Sequence, residues 1–190
     1  GKLAGLDVIR LLNEPTAASL AYGLNTKQEG LIAVYDFGGG TFDVSILRLH
    51  TGIFEVLSTS GDMRLGGDDI DQCLAERFLL SDLSEELRRD PQVLSIAHSV
   101  AERAKSALSE QDETVLNFSV AEKGITLSRS LTRHELEEAV DEIVTRTLGP
   151  CRQALKDAGL EPHEIEEVVV VGGSTRMPLV RQRAGEFFGR

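Results

Sequence analysis

The stretch YDFGGGTFD, residues 35–43, places three glycines and a threonine between two aspartate–phenylalanine pairs. The apolar, β-branched runs LIAVY and VSIL flank it, which indicates two strands joined by a glycine turn. With the turn centred on Gly39 and Gly40, Asp36 faces Asp43 across the hairpin and the two phenylalanines pair on its other side. The hairpin tip is then backbone alone, beside two opposed carboxylates.

Opposed like charges destabilise a hairpin, so we expect a cation between Asp36 and Asp43, and oxygen-only ligands suit a hydrated divalent ion. The glycines can adopt positive φ and present successive N–H groups to an anion, with the Thr41 hydroxyl as a further donor. Together these features predict a magnesium-bound phosphate. The simpler alternative is a tight hairpin with solubilising acids, although three glycines exceed what such a turn needs. A bulge would move one aspartate to the other face.

The bulk composition limits the class of protein. A chain of 190 residues forms one or two domains with a real core, and a net charge of −11 argues against a nucleic-acid-binding surface. No apolar run reaches membrane-spanning length and no signal-peptide pattern is present. Cys73 and Cys151 form no CxxC motif, which predicts reduced thiols and a cytoplasmic location. Both ends lie inside structured patterns, which predicts a fragment.

The segment before the hairpin contains one further candidate acid. Residues 6–13 predict a strand that ends at Glu14, and Pro15 suits the first turn of a helix that closes near Gly23. Glu14 therefore lies where a strand becomes a helix. It either faces a ligand crevice at the strand end or is an acid favoured by the helix dipole, and the residues leave both open.

The remaining patterns predict an α/β chain with a three-stranded antiparallel meander. Four consecutive valines near the end indicate a strand covered on both faces, in the middle of a layered sheet. Thr132 and Glu135 form a capping box. The other predicted strands are 31–36, 42–49, 53–60, 114–120 and 124–129, and the predicted helices are 69–80, 93–109, 132–158 with a kink at Pro150, and a last helix with Pro178 in its first turn.

Two more glycine pairs precede helices. Gly66 and Gly67 open the helix at 69–80, with Asp68 at its start, and Gly172 and Gly173 lead through Ser174 into the last helix. Neither pair fits GxGxxG or a Walker loop, so Rossmann and P-loop folds are excluded on pattern. Three glycine sites thus converge on one phosphate-binding hypothesis.

The helix at 93–109 carries a polar stripe of Glu102, Lys105, Ser106 and Ser109 beside its apolar stripe. Glu102 and Lys105 are also spaced as a surface i,i+3 ion pair, and this simpler interpretation stays open.

Five motifs carry a family resemblance: NEPTAASLAYGL, VYDFGGGTFDVSIL, GDMRLGGDDID, AERAKSALS and VVVVGGSTRMPLV. In this order, and across the whole chain, they resemble the nucleotide-domain signatures of the seventy-kilodalton heat-shock chaperones. The resemblance implies an actin-like ATPase (ribonuclease H-like) fold, mainly its second lobe with an inserted helical and β-hairpin subdomain. It divides the chain into a connecting strand and helix from the first lobe (1–25), the core of the second lobe (26–65 and 132–190) and the inserted subdomain (66–131).

Within the family, the chain is similar to the branch that serves iron–sulfur cluster assembly. The segment 112–130 is shorter than the corresponding hairpin of the general DnaK-type chaperones, where it helps to dock a nucleotide-exchange factor. Such docking is therefore in doubt for this chain.

The resemblance also implies site roles. Glu14 would orient the attacking water and the magnesium shell, Asp36 and Asp43 would hold hydrated Mg²⁺ and a nearby K⁺, and Glu14, Thr41 and Asp43 form the implied catalytic set. The implied nucleotide contacts are Gly38, Gly39, Gly40 and Thr41 at the terminal phosphates, Gly66, Gly67 and Asp68 at the cleft border, Glu102, Lys105 and Ser109 at ribose and adenine, Gly172, Gly173 and Ser174 near the α-phosphate and ribose, and Arg176 on adenine.

The implied function is ATP binding and hydrolysis coupled to client binding, with a J-domain co-chaperone and an iron–sulfur scaffold protein as partners and without nucleic acid or membrane. The first lobe's phosphate loop and lysine are missing from the sequence, so we expect this chain alone to bind ATP weakly and not to turn it over. The alternatives are a general DnaK-type folding chaperone, an actin-like filament protein, a sugar kinase of the same superfamily and an inert lobe.

Overall fold

The structure, a computed structural model, describes residues 1–23 and 29–190. Its strands are β1 (Glu29–Phe37), β2 (Phe42–His50), β3 (Ile53–Asp62), β4 (Glu113–Val120), β5 (Ile125–Thr132) and β6 (Glu167–Val171). Its α-helices are α1 (Glu14–Ala21), α2 (Gly67–Ala75), α3 (Glu85–Arg88), α4 (Pro91–Leu108), α5 (Arg133–Arg146), α6 (Leu148–Ala158) and α7 (Pro178–Phe188). A π-helical turn, Glu76–Leu80, extends α2, and a 3-10 turn, Gly173–Arg176, links β6 to α7.

The predicted hairpin forms the centre of a four-stranded sheet of order β3-β2-β1-β6. The three strands of the meander are antiparallel, and β6 is parallel to β1. Asp36 stands opposite Asp43 and Phe37 opposite Phe42, so the register predicted from the symmetric turn is confirmed. The β4–β5 hairpin forms a separate two-stranded sheet. The predicted α/β class is confirmed.

Apolar residues cover both faces of the main sheet. Ala33, Tyr35 and Phe37 pack into the larger cluster, which also contains residues of α2, α4, α5, α6, α7 and both strands of the small sheet. Ile32 and Val34 point the other way, into a smaller cluster that includes part of α1. This alternation follows from the period of two along β1. The chain segments that carry the three glycine sites therefore all belong to this sheet or pack against it.

The predicted strand at residues 6–13 does not form. These residues have no regular structure, and Leu6, Ile9 and Leu11 are exposed. A strand is stable only when a neighbour pairs its N–H and C=O groups, and no strand pairs with this segment in the described part of the chain. The helix that follows is confirmed as α1, with Pro15 in its first turn. The predicted domain boundary between residues 25 and 26 lies outside the described residues.

The valine strand was predicted in the middle of the sheet, and this is wrong: β6 lies at the edge of the described sheet. Its two faces are nevertheless covered, because Val168 and Val170 contact the larger cluster while Val169 and Val171 contact the smaller one. Side-chain patterns report coverage of the two faces of a strand. They do not report how many neighbours its edges have.

The single kinked helix predicted over 132–158 is two helices, separated at Thr147. Pro150 cannot donate to the carbonyl four residues earlier, and its ring crowds that carbonyl. The Thr147 hydroxyl caps the break by donating to the Val144 carbonyl at 2.6 Å, and it accepts a hydrogen bond from the Tyr35 hydroxyl at 2.7 Å. The capping box at Thr132 is confirmed.

The one-turn helix α3, which Ser84 caps, precedes α4 and was not predicted from the sequence. Helices α2 and α4 and the β4–β5 hairpin form where they were predicted. Among the described residues, no helix combines the length and the apolar character needed to cross a membrane.

We expect Tyr35→Phe to lower the free energy of unfolding by about 1 kcal/mol, because a buried hydrogen bond to Thr147 is lost. Tyr22→Phe is the matched control: it also removes a tyrosine hydroxyl, bonded to the Val170 carbonyl at 2.8 Å, but from an exposed side chain. Urea denaturation measures both losses. Equal losses in the two variants would contradict the importance of the buried bond.

Candidate functional site

The three glycine sites meet around two carbonyl groups of the hairpin turn. The Gly38 carbonyl accepts hydrogen bonds from the Gly67 N–H at 2.9 Å and from the Ser174 hydroxyl at 3.0 Å. The Gly39 carbonyl accepts the Asp68 N–H at 2.7 Å. The start of α2 and the turn after β6 are therefore both anchored to the tip of the β1–β2 hairpin.

Glycine is required at two of these contacts because the backbones approach so closely. A Cβ atom on Gly66 would lie well inside 3.0 Å of the Gly39 carbonyl, although Gly66 itself has an ordinary φ of −155°. A Cβ on Gly172 would likewise overlap the Phe37 carbonyl, and Gly172 also has a φ of +91°. Close approach thus explains the first glycine of each pair, whereas no atom lies within 4 Å of a Cβ added to Gly173.

The turn itself differs from the sequence expectation. None of the three glycines at 38–40 has positive φ, so that prediction is wrong. The turn closes instead through the Gly38 N–H, which donates to the Thr41 carbonyl at 3.1 Å. Within the described residues, the N–H groups of Gly39, Gly40 and Thr41 donate no hydrogen bond, and all three residues are exposed. The loop still presents three free donors.

The carboxylates beside the loop interact electrostatically. Burial raises the pKa of Asp36 above its usual value, and the nearby charges of Glu14 and Asp43 raise it further. Asp36 Oδ1 lies 2.8 Å from the place where a Cβ on Gly172 would stand. Glu14, Asp36 and Asp43 therefore belong to one electrostatic group. In the described parts of the chain, however, no three His, Cys, Asp or Glu side chains converge closely enough to hold a metal ion directly.

Lys105 lies next to the Gly67 turn. Its Nζ donates to Asp71 Oδ2 at 2.7 Å and to the Gly67 carbonyl at 3.1 Å. The side chains of Lys105 and Asp71 are only 14% and 5% exposed. The alternative of a surface pair with Glu102 is therefore wrong, because the partner of Lys105 comes from α2 and the pair is buried.

Sequence reasoning missed Asp71. Its signal was an acid on the apolar stripe of an amphipathic helix, between the buried residues Ile70 and Leu74. An acid in such a place needs a buried partner. Another acid of this helix, Asp69, serves the helix N-terminus, where it accepts a hydrogen bond from the Gly66 N–H at 2.7 Å.

A small cleft of about 100 Å³ lies beside Lys105. Ser109 reaches it from α4, where its hydroxyl donates to the Lys105 carbonyl at 3.0 Å. Glu102 does not line this cleft, although it is close enough to Asp71 to raise the pKa of that carboxyl. The lining residues named from the sequence are Lys105, Ser106, Ser109, Gly173, Ser174 and Arg176.

Comparisons with known proteins decide the family. The family model described as Hsp70 protein matches residues 1–190. The chain belongs to the Hsp70 family. It is similar to the chaperone protein HscA of Escherichia coli O6:H1, with 54% identity over 189 residues, which cover 100% of this chain and 30% of that protein. The HscA proteins of Salmonella newport and Salmonella typhimurium are each 53% identical over 189 residues, with the same coverage of both chains.

Family membership confirms the resemblance seen in the five motifs, and it implies the actin-like ATPase fold of Hsp70 proteins. The chain spans about 30% of the length of the curated relatives that it matches. The roles of the individual site residues remain predictions.

We expect Gly66→Ala to destabilise the chain by about 1–3 kcal/mol, because the added methyl group overlaps the Gly39 carbonyl. Gly149→Ala is the control: no atom lies within 4 Å of its added Cβ, and the residue is in α6. That variant should be neutral or more stable by up to about 1 kcal/mol. Urea denaturation measures both, and a Gly66→Ala variant as stable as Gly149→Ala would contradict the close approach.

Proposed function

We propose that this chain supplies one side of the ATP site of an Hsp70-type chaperone that acts in iron–sulfur cluster biogenesis. The observation that carries the proposal is the convergence of three glycine turns, two opposed carboxylates and a buried lysine. The family is one of nucleotide- and magnesium-dependent ATPases, and this geometry provides groups for a phosphate, a cation and a nucleoside.

The hairpin turn would bind the terminal phosphates. The carbonyls of Gly38 and Gly39 are held by α2 and Ser174, so the N–H groups of the same trans peptides, those of Gly39 and Gly40, point outward. Together with the exposed N–H of Thr41, they remain free for an anion. Successive backbone N–H groups are effective phosphate donors. The Thr41 hydroxyl would add a donor at the same place.

The acids would hold Mg²⁺ through its water shell. Asp36 and Asp43 offer oxygen ligands that suit a hydrated Mg²⁺. Burial is the main cause of the raised pKa of Asp36, and the charges of Glu14 and Asp43 add to it. A cation would relieve the repulsion among these three acids. The bound ion supplies neutralisation of phosphate charge. Glu14 would orient the attacking water, and K⁺ would bind near the same aspartates.

The cleft beside Lys105 would take the nucleoside. Arg176 and Ser109 line this cleft. Glu102 lies about one helical turn before Lys105 on α4. The hydroxyl of Ser174 is bonded to Gly38, so this residue would act through its backbone and through the position of the turn. A volume of about 100 Å³ is far below that of a typical ligand pocket, so other groups have to enclose the rest of the nucleotide.

These features support the lobe assignment made from the resemblance. We assign 26–65 and 132–190 to the core of the second lobe, 66–131 to its inserted subdomain and 1–25 to the connection with the first lobe. Phosphoryl transfer needs groups on both sides of the phosphate. We therefore expect the 190-residue chain alone to bind nucleotide weakly and not to hydrolyse it.

For the whole protein we propose ATP hydrolysis in the cytoplasm, coupled to an iron–sulfur scaffold protein as client and stimulated by a J-domain co-chaperone. The similarity to HscA chaperones supports this choice over a general DnaK-type folding chaperone. Titration of the full-length protein with a scaffold-derived peptide separates the two. Binding of unrelated unfolded peptides with equal affinity would favour the general chaperone.

Calorimetric titration of the full-length protein with Mg²⁺-ADP tests the proposed site. We expect Asp36→Asn combined with Asp43→Asn to weaken binding by at least about tenfold, because two oxygen ligands lose their charge. Asp82→Asn combined with Asp157→Asn changes the net charge equally, away from the site, and should leave binding unchanged. Equal binding by both double variants would contradict the metal assignment.

The raised pKa of Asp36 also gives a stability prediction without Mg²⁺. A folded-state pKa above that of the unfolded chain means that ionised Asp36 destabilises the fold at neutral pH, and that this penalty disappears as the pH falls through the folded pKa towards about 3.8. Asp36→Asn should therefore be more stable than the unsubstituted chain at about pH 7.

The advantage of Asp36→Asn should shrink steadily on acidification. Urea denaturation across this pH range, in the presence of a chelator, measures it. Asp82→Asn controls for the general effect of removing a charge. A difference in the free energy of unfolding between Asp36→Asn and the unsubstituted chain that stays constant at all pH values would contradict the raised pKa of Asp36.

A further inference from the structure

The carboxylate of Asp71 is buried between α2 and α4 and is only half paired. Oδ2 accepts the hydrogen bond from Lys105, whereas Oδ1 is buried and has no hydrogen-bond partner among the described residues. Burial raises the pKa of Asp71, and the contact with Lys105 opposes this shift. Burying a carboxylate with an unsatisfied oxygen is costly, so the position calls for an explanation beyond packing.

The ammonium group of Lys105 is hydrogen-bonded to α2, and the same side chain borders the small cleft. Two acceptors, Asp71 Oδ2 and the Gly67 carbonyl, use two of the three N–H groups of its ammonium. The same side chain lines the small cleft with Ser109 and Arg176. A free lysine side chain loses about 1.5–2 kcal/mol of rotamer freedom when it is fixed. A lysine that is fixed before the ligand arrives avoids that loss on binding.

We propose that Asp71 is a positioning residue, whose buried carboxylate keeps Lys105 charged and directed at the cleft so that its remaining N–H group binds an oxygen of the nucleotide. This inference rests on the nucleotide site proposed above. Asp71 Oδ1 is itself inaccessible, so Asp71 acts through Lys105 and makes no ligand contact.

A purely structural role for the pair predicts a different result. As a link between α2 and α4, Asp71 would affect nucleotide affinity only by loosening the fold, so its loss of affinity would follow a loss of stability measured by urea denaturation. As a positioning residue, it affects affinity only when Lys105 is present, and it does so in variants that are fully folded in the titration. A double-mutant cycle on affinity, with urea denaturation of the same variants, separates these two cases.

The experiment uses the full-length protein that contains this chain, with Asp71→Asn, Lys105→Met and both changes together, titrated calorimetrically with Mg²⁺-ADP. We expect Asp71→Asn to weaken binding by about 5–30-fold, the range of a lost charge-assisted contact. In the Lys105→Met background the same change should alter affinity less than about twofold. Asp157→Asn controls for the loss of one negative charge.

The pH dependence provides a second readout. In Asp71→Asn the buried ammonium lacks a counter-charge, which disfavours its charged form. The affinity of this variant should therefore fall more steeply with rising pH than that of the unsubstituted protein or of the Asp71→Asn/Lys105→Met double variant. The other ionisable groups near Asp71, Glu102 and His98 of α4, are unchanged in every variant.

Several outcomes overturn the inference. An unchanged affinity in Asp71→Asn overturns it, as does an equal loss with and without Lys105. If Lys105→Met alone fails to fold, the double variants Asp71→Leu/Lys105→Met and Asp71→Asn/Lys105→Met are compared, because an apolar pair replaces a buried ion pair well. Unequal nucleotide affinities of these two double variants also overturn the inference. No binding of Mg²⁺-ADP by the unsubstituted protein would overturn the proposed function and this inference together, whereas intact binding with an additive cycle overturns the inference alone.

Discussion

The hydrogen bonds accepted by the Gly38 and Gly39 carbonyls are the constraint on which the site depends. They join the hairpin turn to the start of α2 and to the turn after β6, so three segments that are distant in sequence are fixed at one point. Because both carbonyls are directed into the protein, the N–H groups on the opposite side of the same trans peptides, those of Gly39 and Gly40, are left to the exterior. One set of bonds therefore determines the fold locally and the polarity of the exposed surface.

Several charged groups around this point lower the stability of the folded chain when no ligand is bound. The charges of Asp43 and Glu14 act against ionised Asp36, and the buried pair of Lys105 and Asp71 leaves one carboxylate oxygen unsatisfied. Buried ion pairs are weak contributors to stability. In the proposed site, a polyanion and a cation would relieve these costs, since local strain is commonly retained where a ligand relieves it.

The sequence predicted the parts of this arrangement that depend on local chemistry. The register of Asp36 against Asp43 followed from strand alternation and a symmetric turn, and the cap at Thr132 followed from two residues three positions apart. The strand predicted at 6–13 does not form, because a strand is stable only when another strand pairs with it. Asp71 was missed because its partner, Lys105, lies on another helix, and spacing along one helix reveals only pairs within that helix.

The glycines show the same limit in another form. Their clustering correctly indicated a special backbone, but the reason expected at residues 38–40, positive φ, was wrong, and the reason found at Gly66 was the proximity of Gly39. Glycine in a sequence is consistent with unusual dihedral angles or with close contact, and only the partner across the contact distinguishes them. In the proposed site this difference matters, because close contact fixes the turn before the nucleotide binds. Preorganised donors then lose little freedom on binding, and phosphoryl transfer would additionally need groups on the opposite side of the phosphate.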